Sequence, residues 1–328
     1  FKTLTIILTL SAIVIGNAAY EAGNISGGVL GLEAILGHHS VAIGSFSLNY
    51  FSVAIGLVAF VLLYIGNYKV LEKALISLVI LMSFSFLITA ILTKPDLGAI
   101  FKGIFIPKFP QDSILTIIGL IGTTVVPYNL FLHAALVKEK WQDKKDLKLA
   151  RKDTIIAVVL GGMVSMCIII SAAAIQTQGV NNAADLAKGL EPLFGSFSKY
   201  FLAIGLFAAG ITSAITAPLA AAYVASGCLG WTSNMKTKKF RAVWMFILLL
   251  GVLSSSSGIK SIEIIKFAQV ANGILLPVIA GFLIWIVNRT SVLGDYKNTL
   301  KQNVFGISIL AITIFLGIKS ILKVFELL

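Results

Sequence analysis

Apolar residues run through this chain in long blocks separated by short polar segments. The pattern is neither the strict alternation of a half-buried strand nor the narrow stripe of a surface helix. A helix needs about 20 predominantly apolar residues to cross the hydrocarbon core of a bilayer. Nine stretches approach or exceed that length: 4–36, 50–65, 74–92, 113–137, 154–175, 200–227, 242–259, 267–287 and 304–325. The first is long enough to span and continue into the interface. Lys319 and Lys323, late in the last, can snorkel to the headgroups. The pattern predicts an all-α polytopic membrane protein in which 1–328 form a single transmembrane domain. No repeat, low-complexity tract or linker divides it. The first 20 residues also have the outline of a signal peptide, but the apolar character continues unbroken through Gly27-Gly28-Val29-Leu30, as in a spanning helix. The chain begins at Phe1 rather than Met, which reads as a fragment of a longer protein.

Composition agrees. Of the 328 residues 58% are hydrophobic and only 12% charged, against about 25% charged in a soluble domain. A soluble enzyme, a disulfide scaffold and a disordered tail are excluded. The net charge of +12 would suggest nucleic acid on a soluble chain; here it belongs to loops at a membrane surface, and no nucleic-acid partner is expected. Basic residues favour one set of alternating loops about two to one, led by the run 138-KEKWQDKKDLKLARKD-153. That bias places the N-terminus in the cytoplasm of a multi-pass protein of the plasma or inner membrane. Cys167 and Cys228 sit inside apolar runs and read as buried thiols. There is no Walker loop, GxSxG or HExxH, so no enzyme is expected.

Polar groups inside a bilayer are expensive, so the few present are informative. In the fourth span Pro127 lacks an N–H and leaves the Thr123 carbonyl free, with Gly119 and Gly122 before it and Asn129 after. This predicts a broken helix whose carbonyls face mid-membrane, an arrangement that suits a cation; an ordinary proline kink is the competing reading. In the first span Asn17, Glu21 and Asn24 share one helix face, and Glu21 is the acidic residue nearest the centre of any span. A carboxyl there takes up a proton or pairs with a cation, unless it only hydrogen-bonds a neighbouring helix. In the eighth span Gln269 and Asn272 share a face, with Pro277 beyond them, and offer amide oxygens to a hard cation or an interhelical bond. The small residues of the sixth span, 205–220, read mainly as packing. His133 is a candidate proton relay or a satisfied core histidine. His38 and His39 follow the first span and read as a solvated loop, with a metal pair as the alternative.

With these residues in view the chain resembles the Nramp family of divalent-metal transporters, which have the LeuT-type inverted-repeat fold. Val126-Pro-Tyr-Asn-Leu-Phe-Leu-His-Ala134 is similar to the family's sixth-helix motif MPHNLYLHS. The sixth span is similar to its eighth helix, and Ala268-Gln269-Val270 with Leu276-Pro277 to its tenth. The resemblance implies that the nine spans are family helices three to eleven and that the first two are missing, including the Asp-Pro-Gly-Asn metal motif, which this sequence lacks. It implies that the Thr123 carbonyl and Gln269 bind metal and that Glu21 lies on the proton route. Three positions depart. Val126 replaces the ligand Met, Tyr128 the motif's His, and Ala18 a third-helix Asp. Loss of the thioether weakens preference for softer ions. The family's magnesium-transporting branch also lacks that methionine.

The expected function is a secondary transporter importing a divalent cation, of Mn/Fe type or Mg, with Thr123, Gln269 and Asn272 as oxygen donors. Glu21, Asn24, Tyr128, Asn129 and His133 are candidates for the pathway or for protons. The metal is cargo; no cofactor and no obligate protein partner is expected beyond the lipid bilayer. The rival readings are a LeuT-type carrier of an organic solute and a non-transporting membrane subunit.

Overall fold

A computed structural model describes residues 2–43, 46–106, 108, 110, 113, 116–117, 119–120, 126–141, 143–174 and 198–324. Its helices are α1 Lys2–Leu36, α2 Tyr50–Ile65, α3 Tyr68–Leu92, α4 Leu97–Phe105, α5 Pro127–Lys140, α6 Leu147–Ala173, α7 Ser198–Leu229, α8 Lys238–Ser255, α9 Ser261–Val287 and α10 Leu300–Val324. A hairpin of β1 Ser40–Ile43 and β2 Phe46–Asn49 joins α1 to α2, pairing Ser40 with Asn49. The predicted spans fall on these helices; the second half of 113–137 lies in α5, and most of its first half lies outside the described residues. The hairpin and the short α4 were not predicted; both are too brief to show a period in the sequence.

Local chemistry sets the boundaries. Asn49 caps α2 by accepting from Phe51 N at 2.9 Å. Gly66, at φ 60°, ends that helix in the left-handed conformation, and Asn67 caps α3 by accepting from Lys69 N. Pro127 is the first residue of α5, after an extended Val126. At that position its missing N–H costs nothing. Pro127 therefore starts a helix and does not kink one. Pro218 and Pro277 lie inside α7 and α9.

By length and hydropathy alone, Lys69–Leu92, Leu147–Ala173 and Lys199–Leu229 are each able to cross a bilayer. The 16 residues of α2 rise about 24 Å. Only Ala150 and Ser171 are buried along α6, so it presents Ile155, Val158 and Met163 outward, as a lipid-facing helix does.

At the centre lies α1, packed most extensively on α7 and then on α9 and α8. Small residues allow the first of these contacts. A Cβ placed on Gly210 of α7 would fall 2.5 Å from Gly28 Cα, and one on Gly31 would fall 2.6 Å from the Ala203 carbonyl. The two backbones touch directly, the mode of association that lipid favours. A second tie is polar. Ser255 of α8 bonds Ser26 of α1 at 3.2 Å and Ser52 of α2 at 2.9 Å, all three buried.

Two stability effects are expected. Gly210→Ala forces α1 and α7 apart and should cost about 1–3 kcal/mol as overpacking, read as a lowered thermal midpoint in detergent. Ser255→Ala strands the Ser26 and Ser52 hydroxyls and should also cost about 1–3 kcal/mol. The triple change to Ala at 26, 52 and 255 should recover part of that loss, because no stranded hydroxyl remains.

Candidate functional site

One face of α1 carries Asn17, Glu21 and Asn24 into the interior, with 3%, 0% and 8% of their surface exposed. Asn17 Nδ2 donates to the Ala217 carbonyl of α7 at 3.1 Å. Asn24 Nδ2 donates to Glu21 Oε2 at 3.2 Å. The other carboxylate oxygen, Oε1, is buried and has no hydrogen-bond partner among the described residues. Gly251 makes room for this side chain: a Cβ there would overlap Glu21 Cγ. From α5, Tyr128 packs its ring edge-on against Tyr20 at 5.2 Å. Its hydroxyl lies beside Thr216 and Asn24. Three helices, α1, α5 and α7, thus converge on one carboxyl, with α8 closing the side.

No Lys or Arg forms an ion pair with Glu21 among the described residues. A buried carboxylate without a counter-charge is costly, so a proton or a cation must neutralise it. No group of three or more His, Cys, Asp or Glu side chains gathers among the described residues. A cation held here would therefore rely on mixed carboxyl, amide, hydroxyl and carbonyl oxygens, a hard donor set.

Two cavities flank the cluster. One, of about 290 Å³, is lined by Glu72, Leu132, His133, Lys140, Asp153 and Thr216, among others. Because Thr216 also meets Tyr128, this cavity ends one side chain from the buried cluster. Lys140 lies at its edge, 3.7 Å from Glu72 and 3.5 Å from Asp153. The other, of about 420 Å³, lies toward the opposite end of α1 and is lined by Glu33, His38, Asn49, Ser255 and Ser256, among others.

The structure brings Glu21, Asn24 and Tyr128 together. It does not bring in Asn129, which is exposed, nor His133, which is exposed in the first cavity with Nε2 3.3 Å from the Thr154 hydroxyl. Thr123 lies outside the described residues. Gln269 and Asn272 stand on α9, but their side chains also lie outside them. The α9 backbone just before them abuts α1: a Cβ on Gly23 would fall 3.1 Å from Ala268 Cβ, next to Glu21 and Asn24 in sequence. Sequence reasoning missed the serine node and the Glu33–His38 contact. The four consecutive serines 254–257 were the available signal for the node.

The sequence profile described as Nramp, natural resistance-associated macrophage protein-like, matches residues 1–323. The chain is 24% identical over 282 residues to the divalent metal cation transporter MntH of Caldanaerobacter subterraneus subsp. tengcongensis, covering 82% of this chain and 66% of that one. It is 27% identical over 291 residues to the metal transporter nramp1 homolog of Dictyostelium discoideum, covering 81% of this chain and 53% of that one. It therefore spans less than two thirds of the length of these relatives. A solved structure of the Eremococcus coleocola manganese transporter superposes with a TM-score of 0.67 at 19% identity, covering 98% of this chain and 71% of that one. That likeness identifies the fold, and the relatives' names are those of transporters, not enzymes. A profile match over almost the whole chain, on a helical bundle of the same fold, places this polytopic membrane protein in the Nramp family.

Proposed function

We propose that this chain belongs to a secondary transporter that carries a divalent cation inward across the plasma or inner membrane. The observation that carries this reading is the fully buried Glu21 carboxyl, whose Oε1 has no partner among the described residues, on a polar face between two cavities. Membership of the family supports it. The Thr123 carbonyl, with Gln269 and Asn272, supplies the cation's oxygen ligands, Thr123 standing four residues before the start of α5 at Pro127. Asn24 and Tyr128 orient Glu21 and line the route. His133 stands where the route opens into the cytoplasmic cavity. Glu21 exchanges its neutralising proton for the charge of the passing ion, so that proton and metal movements are linked.

The donor set also speaks to ion choice. Val126 is buried at the residue just before α5, where the family's methionine would add a soft sulfur. With oxygen donors alone the site favours Mg²⁺ and Mn²⁺ over Cd²⁺.

Three outcomes are expected in proteoliposomes containing the full-length protein. Mn²⁺ or Mg²⁺ uptake should occur, and Gln269→Ala should slow it about tenfold, equivalent to about 1.4 kcal/mol. Uptake of neither ion, together with no effect of Gln269→Ala, would falsify the metal reading; saturable uptake of an amino acid instead would favour the organic-solute carrier. Glu21→Gln keeps the shape and removes the charge, so it should abolish the dependence of uptake on a proton gradient while leaving the thermal midpoint unchanged. Val126→Met should raise Cd²⁺ uptake relative to Mg²⁺ by several-fold.

A further inference from the structure

We infer that the outer end of α1 carries a second divalent-cation site, in which Glu33 and His38 capture a transition-metal ion at the mouth of the larger polar cavity. That this mouth faces outward rests on the orientation read from the loop charges; the site itself does not rest on the mid-membrane ligands.

The backbone builds the pair. Gly37, at φ 81°, ends α1 and donates its N–H to the Glu33 carbonyl at 3.0 Å, turning the chain back on the last helical turn. This brings His38 Nδ1 to 2.6 Å from Glu33 Oε1. Both side chains are held from behind. The other imidazole nitrogen, Nε2, lies 3.0 Å from the Ser40 hydroxyl. Asn49 Nδ2 donates to Glu33 Oε1 at 2.9 Å. Such outer hydrogen bonds fix ring and carboxylate orientation in metal sites. Glu33 is 13% exposed and His38 66%, so one ligand is rooted in the protein and the other faces solvent.

The cavity behind the pair supplies the rest. Ser256 lines it, is only 1% exposed, and its hydroxyl has no partner among the described residues. Ser255, also in its lining, bonds Ser26 of α1, which lies five residues, or about 7.5 Å of helix, from Glu21. The cavity floor therefore lies close to the buried cluster.

The Nδ1···Oε1 contact holds one proton between an imidazole and a carboxylate. A metal ion about 2.1 Å from each atom takes that proton's place after a slight opening of the pair. The ring changes tautomer, so that Nε2 carries the proton and donates it to the Ser40 hydroxyl while Nδ1 binds as a neutral imidazole, and water completes the coordination. Imidazole with carboxylate suits Mn²⁺, Fe²⁺ or Zn²⁺ better than Mg²⁺. Lys260 lines the same cavity, and its positive charge opposes the ion. The site therefore binds weakly enough to release its ion. His39 is not part of it: its Nε2 contacts the Leu36 carbonyl and its ring packs on Phe51.

The test uses the purified full chain in nanodiscs, titrated with Mn²⁺, with free ion counted by electron paramagnetic resonance. Glu33→Gln retains the Asn49 hydrogen bond and the side-chain volume, and His38→Gln retains a polar side chain; each should weaken one bound Mn²⁺ by tenfold or more. Lys260→Gln should tighten the same ion several-fold. Gln269→Ala with Asn272→Ala should leave it untouched, which separates failure of this site from failure of the mid-membrane reading. In vesicles with the hairpin outside, Mn²⁺ should protect His38, and not His39, from diethyl pyrocarbonate added externally. Unchanged Mn²⁺ binding in both Glu33→Gln and His38→Gln, or equal modification of the two histidines with and without Mn²⁺, overturns the proposal.

Discussion

Where α1 crosses α7, no side chain separates them, and the position of the polar interior follows from that contact. Lipid tails are as apolar as leucine, so helices in a membrane gain little from hiding apolar side chains and associate through close packing and hydrogen bonds. Gly28 and Gly31 on α1, with Gly210 on α7, provide that closeness. The helices run antiparallel through the seam, because Gly28 meets Gly210 while Asn17, earlier in α1, meets Ala217, later in α7. A rigid crossing at one end fixes the face that the rest of α1 presents. Asn24, Glu21 and Asn17 are thereby turned inward, whatever the cost of burying them.

That cost singles out Glu21. Asn17 is satisfied by a backbone carbonyl and Asn24 by Glu21, but one Glu21 oxygen has no partner among the described residues. A structural carboxyl would be fully bonded, since a stranded polar atom costs about 1–3 kcal/mol and an unpaired charge more. Among the described residues this acceptor stays open, beside Tyr128 and within one side chain of a cavity. Replacing Gly251 would fill the space that this carboxyl occupies. The opening is thus maintained by a small residue on α8, as the crossing is maintained by small residues on α1 and α7.

Much of this was legible in the sequence, unevenly. Long apolar blocks report spans directly, because a bilayer tolerates only internally satisfied backbone. The face shared by Asn17, Glu21 and Asn24 was equally plain, since helical spacing is all it needs. The resemblance to the Nramp family was carried by the run 126–134, and the profile match bears it out. Pro127 marked an interruption or a boundary, but whether it kinked a helix or began one depends on the conformation of Val126, which no spacing reveals. The partners of α1 were not legible: that Ser26 meets Ser255, 229 residues away, is a consequence of packing. The Glu33–His38 pair was hidden for a different reason. It forms only because Gly37 reverses the chain, and two adjacent histidines after a helix look like any solvated loop.

The most direct test of the polar route is access to Thr216, which lines the smaller cavity and lies beside the buried cluster. Thr216→Cys, with Cys167 and Cys228 replaced by Ala, would be exposed to a membrane-impermeant thiol reagent from each side in turn. The expected result is labelling from the cytoplasmic side, slowed when Mn²⁺ is present. Labelling from the outer side alone, or labelling that Mn²⁺ leaves unchanged, would contradict a cation route that passes Tyr128 to reach Glu21.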